Sequence, residues 1–257
     1  MKSIGRLHHH EHGRRWCDAF IAGAKRHGLE EKQFPDLLVT WGVRQQESIA
    51  AQIARGGDVC VLECGYLGDR LKNTSVSFGG ELNGRARFPQ AQDNGERFAK
   101  DFAFAPWSHR DGFTLILGQV PGDMSLAPVN GDLTEWCEQA AQMPGAVFRP
   151  HPKAPDTPCP SGAHPIGKGT LAQCLAEARV AVTFNSNAGV DAVLAGVPTI
   201  ATDCGSMAWP VTSHDFGAPL VRPNRAKWAA RLAWCQWTID EMASGYAWEF
   251  LKAIAKI

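Results

Sequence analysis

Short apolar runs alternate along the chain with stretches in which apolar residues recur every three or four positions, the signature of strands followed by amphipathic helices. Trp16, Phe20 and Ala24 share a four-residue spacing, so Trp16 to about His27 is predicted to be a helix with one apolar face, ended by Gly28. Leu37 to Trp41 reads as a strand, Gln45 to Ala54 as a helix closed by Gly56-Gly57, and Val59 to Leu62 as a further strand. From Lys72 to Arg110 the periodicity fades into Asn, Gly, Arg and Pro, which suits a functional loop or a variable surface segment. Strands resume at Phe113 to Leu117, Ala146 to Phe148, Val180 to Phe184 and Thr199 to Ala201. Leu133 to Gln142 reads as a helix, and a second helix is expected between Asn185 or Ser186 as cap and Gly196 as terminator. Pro150 to Gly169 is predicted to be an exposed loop; Trp228 to Trp237 and Ile239 to Ile257 read as closing amphipathic helices whose tryptophans pack. Strand and helix alternate in both halves. This predicts an α/β protein of two Rossmann-like domains, 1–111 and 112–257, with the boundary near Asp111.

The 257 residues suffice for two such domains, and a hydrophobic share of 44% with 20% charged residues is ordinary for a packed globule. Formal net charge is zero, and residues 1–111 carry 16 basic and 14 acidic residues against 10 and 12 in 112–257. No polybasic footprint of the kind that drives nucleic-acid binding results; Arg14-Arg15 and Lys25-Arg26 form only a small local patch. No run of about 18 apolar residues occurs, and no apolar core follows the basic residues at the N-terminus, so a cytoplasmic protein without a transmembrane segment is expected. The eight cysteines lack paired metal spacing and read as reduced core residues. His8-His9-His10-Glu11-His12 invites a metal reading, but adjacent histidines of an extended segment face opposite ways and no distant ligand completes a set; no metal and no cofactor are expected.

Open parallel sheets bind ligands at the carboxyl ends of their strands. Three polar segments follow predicted strands there: Gly118-Gln119-Val120-Pro121-Gly122-Asp123, Arg149-Pro150-His151-Pro152, and Asn185-Ser186-Asn187. The last opens a helix, where hydroxyl, amide and backbone N–H groups suit a phosphate without a metal ion. His151, stiffened by Pro150 and Pro152, is placed to hydrogen-bond a nucleotide or its phosphate, with Arg149 and Lys168 as nearby cations. Asp123 sits where a carboxylate acts as base or as nucleophile, although Pro-Gly-Asp is also an ordinary turn sequence. Glu63, at the end of a strand, is placed to hold acceptor hydroxyls, and Arg70 to bind a carboxylate or phosphate.

These segments, in this order, resemble the capsule polysaccharide, Kdo-transferase-like family of sugar transferases. The His151-Pro152 dipeptide, the Asn185-Ser186 helix start, the Gln119-x-x-x-Asp123 loop and Leu62-Glu63-Cys64-Gly65-Tyr66-Leu67 are similar to that family's segments. The resemblance implies a metal-independent glycosyltransferase of GT-B arrangement, two Rossmann-like domains with a cleft between them, the nucleotide sugar held by 112–257 and the acceptor by 1–111. It implies Asp123 as nucleophile with His151 as its catalytic partner. Gln119, Arg149, Pro152, Lys168, Asn185, Ser186, Asn187 and Asp191 would contact the donor, and Glu63, Tyr66 and Arg70 the acceptor. Asp191 stands where the family has Glu, with a shorter reach toward a ribose. A CMP-Kdo-like donor and a glycan acceptor follow from the same likeness. The chain is short for this architecture, which leaves a trimmed half or a second subunit of a homo-oligomer as ways to complete the cleft. Competing readings are a GT-B enzyme acting on a modified base in DNA, a sugar-nucleotide epimerase, and a non-catalytic nucleotide-sugar or phosphate-binding module.

Overall fold

A computed structural model describes residues 2–7, 11–167 and 169–257. The chain runs through β1 (Ser3–Arg6), α1 (Glu11–Lys25), β2 (Glu30–Glu31), β3 (Leu37–Trp41), α2 (Gln46–Ala54), β4 (Asp58–Cys64), β5 (Thr74–Phe78) and α3 (Glu96–Ala99). It continues with β6 (Phe113–Leu117), α4 (Thr134–Ala140), β7 (Ala146–Arg149), β8 (His164–Pro165), α5 (Leu171–Glu177), β9 (Ala178–Thr183), α6 (Ala188–Leu194) and β10 (Thr199–Ala201). α7 (Ala226–Trp234), β11 (Gln236–Trp237), α8 (Ile239–Ala243) and α9 (Tyr246–Leu251) close it.

These elements form two compact units, Met1–Phe102 with Ala229–Ile257, and Ala103–Trp228. The expected boundary near Asp111 and the continuous second half 112–257 are thereby corrected. The tail rejoins the first unit because its apolar side chains complete that core. Trp237, Trp248 and Leu251 are buried with Phe20 of α1 and with Leu37, Leu62 and Phe78 of the sheet, and Phe20 meets Trp248 edge-on at 5.8 Å. Each such side chain contributes roughly 1.5–3 kcal/mol of burial.

The first unit's sheet has the order β11-β5-β4-β3-β1-β2. β1, β2, β3 and β4 are parallel, whereas β5 pairs antiparallel with β4 and β11 antiparallel with β5. The 72–110 stretch thus contains a strand that apolar periodicity concealed. Ser75 and Ser77 of β5 are buried, but their hydroxyls donate to the carbonyls of Glu63 at 3.2 Å and Val61 at 3.3 Å, so polar residues satisfy a buried strand. α1 begins at Glu11 rather than Trp16. The anticipated final helix is two, broken at Ser244-Gly245, where Gly245 takes φ +88° and an added Cβ would lie 2.9 Å from Nε2 of His27.

The second unit's sheet has the order β10-β9-β6-β7-β8, with every pair parallel. Counted within the unit this is 5-4-1-2-3, the doubly wound Rossmann order, whose switch point lies between β6 and β9. Both faces are covered, so β6 and β9 read as continuous apolar runs. Ile116, Phe148, Val180 and Val182 pack with Leu126 and Trp136, while Leu115, Leu117 and Ala181 pack with Leu175 and Ala192. No helix among the described residues is long and apolar enough to cross a membrane.

Candidate functional site

The carboxyl ends of β6, β7, β9 and β10 deliver Gln119, His151, Asn185 and Asp203 to one edge of the second unit's sheet. The switch point is closed by a reciprocal amide pair. Gln119 Nε2 donates to Asn185 Oδ1 at 2.8 Å, and the Asn185 backbone N–H donates to Gln119 Oε1 at 3.0 Å. Asn185 Nδ2 donates in turn to the Ser125 carbonyl at 2.8 Å and to Asp203 Oδ2 at 2.7 Å, and that carboxylate oxygen also accepts from Gly205 N–H at 3.1 Å. Gln119, Asn185 and Asp203 are all buried. Satisfied in this way, a buried polar network holds one geometry.

Asp123 hangs from the same network. Its Oδ1 accepts from Ser125 N–H at 2.9 Å and Ser125 Oγ at 2.7 Å, and Ser125 Oγ lies 3.4 Å from Gln119 Nε2. Asp123 therefore caps the short 3-10 helix Met124–Val129, the ordinary turn role, and its Oδ1 is fixed in direction while it does so. Ser125 and Asp203 were absent from the sequence-derived set. An Asp-x-Ser spacing, which favours the side-chain turn seen here, and an acidic residue two positions after β10 were the signals for them.

The Asn185-Ser186-Asn187 turn differs from expectation. α6 spans only Ala188–Leu194, and its opening N–H groups are engaged inside the turn: Ala188 with Ser186 Oγ at 3.2 Å, Gly189 with the Ser186 carbonyl at 2.9 Å, Val190 with the Asn187 carbonyl at 3.0 Å. Asn185 and Gln119 likewise have their amides committed to the network, so they position neighbours instead of offering donors to a ligand. Ser186 is half-buried; its N–H donates to Thr183 Oγ1 at 2.9 Å, and its hydroxyl, an acceptor toward Ala188, keeps its own proton to donate. Gly189 lets α6 approach β9: a Cβ there would sit 2.9 Å from Thr183 Cγ2.

His151 is half-buried in a tight turn whose Ala154 N–H donates to the His151 carbonyl at 2.8 Å. Lys153 N–H donates to Nδ1 at 3.1 Å, which assigns the proton of a neutral ring to Nε2. Arg149, the last residue of β7, is half-buried and its carbonyl accepts from Gly118 N–H at 2.9 Å, tying the first and second strand ends together; Pro152 is exposed. Asp191 is half-buried in the first turn of α6. Lys168 and the His8-His9-His10 run lie outside the described residues. Among the described residues no three His, Cys, Asp or Glu side chains are grouped to hold a metal ion.

In the first unit, Glu63 lies half-buried near the end of β4, with Oε1 accepting from Cys64 N–H at 2.9 Å, and Arg70 is half-buried in the following turn. Tyr66 is only 3% exposed, its hydroxyl donating to Asn83 Oδ1 at 3.1 Å and its ring edge-on to Phe88 at 6.0 Å. Burial pushes its phenol well above the usual range. Those contacts make Tyr66 a packing residue. His12 also approaches this strand edge, with its ring edge-on to Trp41 at 4.9 Å.

No protein-family profile and no curated protein matches this chain. Solved structures do. The fold is similar to that of Thermosulfurimonas dismutans KpsC, beta Kdo 2,7 transferase, with a TM-score of 0.59 at 13% identity, covering 98% of this chain and 100% of that one. It is also similar to T. dismutans KpsC, beta Kdo 2,4 transferase, with a TM-score of 0.58 at 16% identity, covering 89% of each chain. At such identities the likeness is one of fold.

Proposed function

We propose that this protein is a glycosyltransferase that moves a sugar from a nucleotide-sugar donor, CMP-Kdo-like, to a hydroxyl acceptor on a glycan. The observation that carries the reading is the buried Gln119–Asn185 pair across the switch point, with Asp123 fixed on it through Ser125. Ligands of doubly wound sheets bind at that point, and glycosyl transfer asks there for a positioned carboxylate and for donors to a leaving phosphate. Fold likeness to two Kdo transferases along 98% and 89% of the chain supports the same choice.

In this proposal the Asp123 carboxylate attacks the anomeric carbon as the bond to the nucleotide phosphate breaks. The acceptor oxygen then displaces the carboxylate, which regenerates ionised Asp123, and passes its proton to the phosphate of the released nucleotide. The Ser186 hydroxyl and His151 Nε2–H donate to the leaving phosphate, with Arg149 and Lys168 supplying positive charge; Asp191 and Pro152 border the nucleotide. Glu63 and Arg70 are assigned to the acceptor, and the GT-B arrangement, metal independence and kinship with the Kdo-transferase-like family belong to the proposal as well. Asp123→Ala and Ser186→Ala separate the roles. Asp123→Ala is expected to abolish donor consumption with nucleotide affinity retained, whereas Ser186→Ala should weaken nucleotide binding by about 1 kcal/mol, roughly fivefold, in calorimetric titration. Unchanged turnover in Asp123→Ala would remove the carboxylate from the mechanism.

A further inference from the structure

The turn that carries Asp123 has a second copy in the same unit, and the two differ in what stands behind the hydroxyl. In that copy Asp132 Oδ1 accepts from Thr134 N–H at 2.8 Å and from Thr134 Oγ1 at 2.7 Å, both residues are exposed, and no further hydrogen bond engages the Thr134 hydroxyl among the described residues. This is the ordinary side-chain turn of an Asp followed two positions later by Ser or Thr. At Asp123 the same two bonds, from Ser125 N–H at 2.9 Å and Ser125 Oγ at 2.7 Å, rest on a buried support.

Gln119 Nε2 has two hydrogens. One goes to Asn185 Oδ1 at 2.8 Å, and the other is available to Ser125 Oγ, 3.4 Å away. The Asn185 N–H donates to Gln119 Oε1 at 3.0 Å, which fixes the donor end of that amide, and Asn185 Nδ2 holds the Ser125 carbonyl at 2.8 Å. With a donor on its lone pairs, the Ser125 hydroxyl sends its own proton to Asp123 Oδ1. Oδ2 makes no hydrogen bond or ion pair among the described residues. The carboxylate therefore has one oxygen held by two donors and one oxygen unengaged.

That asymmetry acts oppositely on the two steps of a double displacement. Attack by Oδ2 forms its bond to the anomeric carbon while the carbon–oxygen bond to the nucleotide phosphate breaks and the electron pair leaves with the phosphate. Oδ1 then becomes the neutral carbonyl oxygen of an ester. In the second step an incoming oxygen bonds to the anomeric carbon and passes its proton to the phosphate, the bond to Oδ2 breaks, and that electron pair returns to the carboxylate. Hydrogen bonds to a charged oxygen are roughly twice as strong as those to a neutral one. Donors on Oδ1 thus restrain the first step and favour the second.

We infer that Ser125 is a positioning residue that directs Oδ2 to the anomeric carbon and speeds release of the sugar from Asp123, with Gln119 aiming its hydroxyl. The inference rests on the nucleotide-sugar reading above.

Rapid-quench mass analysis of the full chain with CMP-Kdo separates the steps, because formation of a one-sugar adduct on the Asp123 peptide and its resolution by water or azide are read as two rates. Ser125→Ala is expected to resolve the adduct about fivefold to tenfold more slowly without forming it more slowly, so that adduct accumulates. Ser125→Thr, which keeps the hydroxyl, should restore resolution, and Thr134→Ala in the unsupported copy of the turn should change neither rate. Ser125→Cys keeps the shape with a weaker donor and is expected to fall between Ser and Ala, so the trend is readable even where the alanine variant does not fold. Formation slowed as much as resolution, or resolution unchanged in both the alanine and cysteine variants, would overturn the inference. Donor consumption with no adduct on any of these proteins overturns it too and leaves glycosyl transfer by direct displacement in place, whereas an intact donor with the unaltered protein removes both readings.

Discussion

Asn185 makes four hydrogen bonds, two with Gln119 and one each with the Ser125 carbonyl and Asp203, so its amide orientation is fixed by two acceptors on the Nδ2 side. Truncating it to Ala leaves a buried carboxylate and a buried amide short of partners. The expected loss is about 1–3 kcal/mol in urea unfolding of the second unit. Asn185→Asp keeps the shape but places a carboxylate against Asp203, so its cost should be greatest at neutral pH and shrink as pH falls through the carboxylate range. A pH-independent cost would mean that the two side chains do not share this contact. Asn185, Gln119 and Asp123 were readable in the sequence as polar residues that follow strands, but their hydrogen-bonded connection was not. Which amide is committed and which hydroxyl remains depends on partners 18 to 66 positions away.

Among elements, the strands of the second unit were the most legible, because a parallel sheet covered on both faces writes itself as plain apolar runs. β5 was not, since Ser75 and Ser77 satisfy their hydroxyls on β4 carbonyls and carry no apolar alternation. β11 was hidden inside an expected helix, and its Gln236 accepts at Oε1 from the N–H groups of Tyr66 at 2.7 Å and Leu67 at 2.8 Å. Gln236→Leu should cost about 2 kcal/mol or more by orphaning two buried donors, detectable as faster amide exchange at Tyr66 and Leu67. α3 is fastened to the tail by Arg97, which forms two bonds with Glu241, at 2.6 and 3.0 Å, and lies 4.5 Å over the Trp237 ring. Burial pushes the Glu241 carboxyl up, but the bonds from Arg97 and from Thr238 outweigh it and hold the group below its ordinary value. A depressed carboxylate stabilises the fold at pH above its unfolded value and loses that contribution as pH falls through the lower folded one. Arg97→Met is therefore expected to cost about 2 kcal/mol near neutrality and progressively less in acid, measured by unfolding at a series of pH values.

On the scale of the whole molecule, the chain leaves its first unit after Phe102 and returns to it at Ala229. Tail residues Trp234, Trp237, Trp248 and Leu251 are part of the first core, so deletion of 229–257 should unfold the β3–β5 sheet while the β6–β10 sheet keeps its amide protection. Equal loss in both sheets would contradict independent cores. Alternating periodicity made the Rossmann-like α/β character readable, but a return of the chain after 126 residues leaves no local trace in sequence. Transfer of a sugar from a nucleotide donor is tested by mass analysis of products after incubating the protein with a panel of nucleotide sugars and glycan acceptors. Release of free nucleotide with a matching one-sugar gain in an acceptor is expected, for a CMP-linked donor foremost and not in Asp123→Ala. Intact donors across the whole panel, or equal turnover by Asp123→Ala, would contradict it.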